Sequence, residues 1–147
     1  TVYYEHETGA DQVDAGGVVT AITANVLSGD FDITQKRSAQ GQFLGSPDLR
    51  GDGEYIMKIR RFLPDFISQT GDTRITLFLR NYPNSSAASS PLGPFTITSS
   101  TDKVDTRARA RAIALKIENI GTSDGSYQAQ NWKLGTFRLD IQPDGRR

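Results

Sequence analysis

From residue 106 to 118 the chain reads TRARARAIALKIE, which is a strict alternation. Arg107, Arg109, Arg111, Ile113, Leu115 and Ile117 share one parity, and Ala108, Ala110, Ala112, Ala114, Lys116 and Glu118 share the other. Only an extended strand repeats its side-chain direction every two residues, whereas a helix scatters such a pattern around its axis. A regular strand here carries an apolar patch at one end of a face and three guanidinium groups at the other. The segment is therefore expected to cross from core to interface.

The same period recurs elsewhere. Residues 73–80 place Ile75, Leu77 and Leu79 on one side and Arg74, Thr76, Phe78 and Arg80 on the other. Residues 54–62 set Tyr55, Met57 and Ile59 against Lys58 and Arg60, with Ile56 and Phe62 breaking the pattern. A half-buried strand is expected over 18–27, a short one at Phe31-Asp32-Ile33 after the turn Ser28-Gly29-Asp30, and another over 95–99. Pro64 has no amide to give a ladder and should interrupt pairing. Residues 81–94 are rich in turn formers. Trp132 and Leu134 lie on one parity and Phe137, Leu139 and Ile141 on the other, so Gly135 marks a parity switch where a β-bulge belongs. Residues 34–53 carry little periodicity and read as a long loop or insertion, and 142–147 as an exposed charged tail.

The sum is roughly eight short strands in one antiparallel, β-sandwich-like domain over 1–147, or the terminal part of a larger β-propeller. A chain of 147 residues supports one core of this kind. No internal repeat stands out. A chain that opens on Thr1 is expected to be a processed product or the carboxy-terminal part of a longer polypeptide.

Several function classes lose their basis in the composition. There is no cysteine, which removes disulfides, thiolate metal sites and a cysteine nucleophile. Seventeen basic residues balance seventeen acidic ones, so the chain as a whole has no net charge with which to grip nucleic acid or an anionic membrane. Any such contact has to be local. No stretch approaches the roughly 20 apolar residues of a spanning helix, and no membrane insertion is expected.

Residues of the types that carry chemistry have simpler readings. A Ser-His-Asp triad would need His6, which stands between Glu5 and Glu7 without a nucleophile-elbow motif. The carboxylate pairs Asp30 with Asp32 and Asp52 with Glu54 sit beside glycines in turns, where turn chemistry accounts for them more simply than glycoside hydrolysis. Neither Asp30-Phe31-Asp32 nor residues 48–54 match a calcium-loop spacing. Arg50-Gly51-Asp52 is a three-residue adhesion tripeptide of a kind that arises by chance. The expectation is no catalytic residue, no metal and no cofactor.

Arg107, Arg109 and Arg111 are different. On one strand face they repeat at about 6.5–7 Å, a spacing that suits phosphates or the carboxylates of a neighbouring subunit. No aromatic residues are interleaved for base stacking, so protein contact or intramolecular pairing is favoured over nucleic acid. Together with Arg146 and Arg147 they form the candidate interface.

Read together, several segments resemble a known family. They are SGDFDI (28–33), IRRFLPDF (59–66), LRNYP (79–83), VDTRARAR (104–111) and the ending WKLGTFRLDIQPDGRR (132–147). In this order they resemble the carboxy-terminal region of tail nozzle, or hub, structural proteins of short-tailed bacteriophages. The similarity spans most of residues 20–147. It departs in the longer 34–53 loop and in Ala110 and Ala112, which stand where bulkier or Gly and Gln residues accompany the arginines. The resemblance implies a non-enzymatic virion protein of the phage tail, a β-rich subunit of a ring, commonly a hexamer, lining or capping the genome-ejection channel. Its implied partners are copies of itself, other tail or adaptor proteins, and viral DNA in transient passage without sequence-specific binding. Two other classes remain open: a host-glycan-binding β-sandwich with Trp132, Tyr82 or Tyr127 as platforms, and a polysaccharide-cleaving tail enzyme.

Overall fold

Alternating side chains separated by turn residues fold here into antiparallel sheets around one core. A computed structural model of the protein describes residues 9–33, 55–82, 90–120 and 129–146. Among them there is no helix. The strands are β1 (Asp11–Val13), β2 (Val19–Ala21), β3 (Asn25–Leu27), β4 (Tyr55–Leu63), β5 (Phe66–Thr70), β6 (Thr73–Arg80), β7 (Ser90–Ile97), β8 (Val104–Ala110), β9 (Ala112–Asn119), β10 (Asn131–Leu134) and β11 (Arg138–Arg146). They form a three-stranded sheet in the order β11-β4-β8, a four-stranded sheet β3-β9-β6-β7, and the pairs β1-β2 and β5-β10.

The two larger sheets share one buried cluster, which makes the domain sandwich-like. Met57, Ile59 and Phe62 enter it from β4 and Ala108 and Ala110 from β8. From the other sheet come Ile75 and Leu77 of β6, Ile97 of β7, and Ile113 and Ile117 of β9. Phe62 joins the layers: its ring meets Phe95 of β7 edge-on at 5.4 Å and stacks on Phe137 at the same distance.

The alternating run at 106–118 is two strands, not one. The chain leaves the first sheet after Ala110, turns at Arg111, whose amide donates to the Arg80 carbonyl at 2.9 Å, and enters the second sheet at Ala112. Ala108 and Ala110 are buried before the corner, and Ile113 and Ile117 after it. The corner reverses which parity faces the core. The small alanines and the large isoleucines thus both face inward, and Arg107 and Arg109 face out.

Strand β4 carries a second irregularity. Against β11, Asp140 is opposite Arg61 and Ile141 is opposite Ile59, leaving Arg60 as an extra residue. A bulge of this kind turns two consecutive side chains to the same side. Arg60 and Arg61 are both exposed, and Phe62 returns to the core. The misplaced Phe62 of the sequence pattern is therefore explained by a bulge rather than by the end of the strand.

Strands β4 and β5 run on as one bent arm, interrupted at Pro64 and Asp65 as expected, and β10 and β11 follow them antiparallel with a break at 135–137. The register slips between Lys133 and Leu134, beside the predicted Gly135, whose amide donates to the Asp65 carbonyl at 2.6 Å.

Other expectations change. The half-buried strand over 18–27 is two short strands, β2 and β3, with an irregular link, and its side chains are largely exposed. β2 pairs with β1 in a hairpin whose turn is set by Asp14: its Oδ1 accepts the amides of Gly16 and Val18, each at 2.8 Å. Phe31 makes a single bridge to Ile113 instead of a strand. β7 begins at Ser90, inside the segment read as turns, and accommodates Pro91 and Pro94 because it lies at a sheet edge. Residues 142–146, read as an exposed tail, continue β11 against β4. Turn-forming side chains are compatible with an edge strand, and pairing decides the outcome.

Candidate functional site

Two surfaces stand out, one cationic and one apolar. The cationic one is the outer face of β4 and β8. Core-facing Met57 and Ile59 force Lys58 outward, and core-facing Ala108 and Ala110 do the same for Arg107 and Arg109. Lys58 is directly opposite Arg109, and Ile59 is opposite Ala108. Arg60 follows opposite the Arg107 side of a register shift, before Arg61 aligns with Asp105. Lys58 and Arg109 thus form one directly opposed cross-strand pair, with a Cβ separation of about 4.5–5.5 Å, and Arg60 and Arg107 lie next to it within the register shift, not paired with each other.

Among the described residues three carboxylates share this side of the sheet, Asp105 on β8 and Asp140 and Asp144 on β11. Arg61 is flanked by Asp105 at 3.6 Å and Asp140 at 3.7 Å, and Lys103 also reaches Asp105 at 3.6 Å. Asp144 of β11 pairs with the Arg109 guanidinium, which also contacts the Asp144 carbonyl at 3.5 Å. Lys58, Arg60 and Arg107 form no ion pair among the described residues.

Of the predicted interface arginines, Arg107 and Arg109 lie side by side on β8, while Arg111 stands at the corner between the sheets and leaves the row. Arg146 ends β11 opposite Tyr55, and Arg147 lies outside the described residues. Lys58 and Arg60, which sequence reasoning left out of the site, lie on the adjacent strand β4, Lys58 directly opposite Arg109. Their outward parity is visible in the sequence, but that β4 lies against β8 is not.

The apolar side chains come from β1, β2, β3 and their connections, and are contiguous in sequence. Val13, Val18, Val19, Ile22, Val26 and Leu27 are six of the eight exposed large apolar side chains among the described residues. β3 is an edge strand, held on its inner side by β9. The other three edges of the two large sheets carry devices that discourage pairing: Pro91 and Pro94 on β7, Arg107 and Arg109 on β8, and Pro143 on β11. Asn25-Val26-Leu27 has neither proline nor charge and is exposed throughout.

The remaining candidates fall into structural roles or beyond view. Asp30 Oδ2 pairs with Arg80 Nη1 at 3.1 Å, fixing the segment before Ile33 to β6. Trp132, a proposed glycan platform, is half-buried edge-on to Phe66 at 6.1 Å, and Tyr82 is exposed. An open cleft of about 320 Å³ beside the bend of the β4–β5 arm is lined by Asp65, Gln69, Thr98, Asp102 and Arg138 among others. Asp65 there lies 4.0 Å from Arg138, with both side chains more than half exposed. Among the described residues no three His, Asp or Glu side chains gather to hold a metal. His6, Arg50-Gly51-Asp52, Glu54, Tyr127 and the 34–53 loop lie outside the described residues.

No protein-family model matches the chain, and no curated protein matches it.

Proposed function

We propose that this chain is a structural assembly module of a bacteriophage tail, a nozzle or hub component that packs against copies of itself in a ring around the genome-ejection channel. The observation that carries the assembly reading is the run of exposed apolar side chains from Val13 to Leu27, which ends on the one large-sheet edge among the described residues without proline or charge. Exposed apolar side chains in contiguous sequence beside an open row of backbone donors and acceptors fit a protein partner better than a small ligand. The finer assignment to the tail draws on the resemblance of residues 28–33, 59–66, 79–83, 104–111 and 132–147 to tail hub proteins. Ring closure needs a head-to-tail contact, in which the strip of one copy meets a different surface of the next.

The mass of the protein in solution, measured by light scattering, tests assembly. A defined oligomer is expected, and Val26→Lys, which places a charge on the open edge, should shift it toward monomer with an unchanged circular dichroism spectrum. A protein that stays monomeric at every concentration defeats the assembly reading. Mass spectrometry of purified phage particles tests the location, and absence of the chain from the particle defeats the tail assignment.

A further inference from the structure

We infer that the free edge of β3 is a strand-addition site, which takes an extended, uncharged segment of a second copy of this chain, residues 38–47, by main-chain pairing. The inference rests on the assembly reading and names the two sides of its contact. The edge is open in its backbone. The Ser28 amide donates to the Leu115 carbonyl and the Asn119 amide to the Ala24 carbonyl, while Asn25, Val26 and Leu27 stand opposite Glu118, Ile117 and Lys116. Opposite residues of an antiparallel ladder alternate between bonded and non-bonded pairs. Ala24, Val26 and Ser28 therefore turn their backbone groups toward β9, and Asn25 and Leu27 turn theirs away. Among the described residues no strand lies on that side.

The same alternation puts a cleft on each face of the edge. Val26, opposite the buried Ile117, belongs to the inner face and lines a cleft of about 360 Å³ with Ile22, Ala24, Gln130 and Trp132. Leu27, opposite Lys116, belongs to the outer face with Ala114 and Phe78, and with them lines a second cleft of about 380 Å³. Two residues of the inner cleft are each short of a hydrogen bond. Trp132 Nε1, a donor, and Gln130 Oε1, an acceptor, are shut from solvent without a partner. Buried polar atoms are seldom left so. One donor and one acceptor are what a peptide group complements.

The chemistry of the occupant follows. A strand beside β3 directs successive side chains to opposite faces, so it needs apolar side chains on both parities, one for each cleft. It needs no charge, because Asp30 and Arg80, the charged residues lining the clefts, are paired with each other. The other large-sheet edges carry proline or arginine, and β3 itself is only three residues long. Residues 38–47, SAQGQFLGSP, have the required make-up: they are uncharged, and Phe43 and Leu44 are neighbours in sequence and so of opposite parity. They lie outside the described residues, within 34–54, between Ile33 and Tyr55. A stretch of that length extends at most about 35 Å out and back, against a radius of gyration of about 15 Å for a domain this size, so it can reach a neighbour. It is also where the chain departs from the tail hub family, so the resemblance does not supply this contact.

The test uses the full chain in two variants that disable opposite sides of the contact. Leu27→Pro removes the outward amide and leaves the bonds to β9 intact, since an edge strand tolerates proline where its N–H faces away from its partner. Phe43→Ser with Leu44→Ser removes the apolar pair. By light scattering each variant alone is expected to shift from the parent oligomer to monomer, with an unchanged circular dichroism spectrum. Mixed in equal amounts they should form a dimer, because the intact segment of one meets the intact edge of the other and no further contact is available. Assembly of the parent should slow hydrogen exchange at the Asn25 and Leu27 amides about tenfold or more and leave Val26, already bonded to β9, little changed. A parent that stays monomeric at every concentration defeats the assembly reading and this contact with it. A parent that assembles while both variants assemble equally well, or a mixture that stays monomeric, overturns this inference alone and leaves the assembly reading standing. Slow exchange at Asn25 and Leu27 in the monomer overturns it as well, because the edge is then covered within one chain.

Discussion

Asn119 holds Ala24 from the far side of the sequence: its Oδ1 accepts the Ala24 amide at 2.7 Å while its Nδ2 donates to the Ile22 carbonyl at 3.0 Å. The Asn119 amide in turn donates to the Ala24 carbonyl at 3.1 Å. One buried side chain thereby fixes the segment that presents β3 and its exposed edge.

Replacing Asn119 by Ala removes both side-chain bonds and leaves the Ala24 amide without its acceptor. The expected cost is about 1–3 kcal/mol of stability. The loss should also be local. Hydrogen exchange at Ala24 and Asn25 should accelerate more than at the β6–β9 ladder, and equal acceleration everywhere would contradict the clamp.

Phe62 is the ring through which the two sheets meet, since it contacts both Phe95 and Phe137. It is fully buried. Phe62→Ala should cost about 3–5 kcal/mol, enough to unfold many domains of this size. Phe62→Leu keeps most of the volume and should cost less. Urea denaturation of the pair orders the two losses, and a small loss for Ala would mean that the rings do not carry the packing between sheets.

At Gly135 an added Cβ would sit 2.8 Å from the Asp65 carbonyl oxygen and 3.3 Å from Ile67 Cγ1. The first neighbour is backbone and is already bonded to the Gly135 amide, so it cannot move away without breaking the bend. Gly135→Ala is expected to lower stability by about 1–3 kcal/mol, the usual cost of overpacking. Thermal denaturation reads it. A neutral result would show that the β5–β10 arm shifts freely against β4 and β11.

Asp30 and Arg80 pair at 3.1 Å with side chains a little over one third exposed. Solvent screens such a pair, and Asp30→Asn should cost no more than about 1 kcal/mol at low salt. The difference should shrink as salt is raised. A larger, salt-independent loss would point instead to the packing of the 28–33 segment.

Much of the β character was legible because side-chain direction in a strand is a property of the strand itself. Residues 73–80 alternate, and β6 covers them with Ile75 and Leu77 buried. Pro64 and Gly135 mark the bend for equally local reasons, a missing amide and a missing Cβ. Where alternation passed through a change of sheet, the local pattern misled. Nothing in TRARARAIALKIE announces that Arg111 is a corner, since both halves obey the same period.

The candidate surfaces divide in the same way. The sequence alone determined that Lys58 and Arg60 share a parity, that Arg107 and Arg109 do, and that residues 18–27 carry valine and isoleucine at strand spacing. Only the tertiary structure decided that β4 lies beside β8 with Lys58 facing Arg109, that a bulge turns Arg60 and Arg61 outward together, and that β3 lies at an open edge. The physical reason is one of range. Parity follows from the φ and ψ of a residue and its neighbours, whereas pairing partners, bulges and edges are fixed by which distant strands bury the most apolar surface together, and that choice belongs to the whole chain.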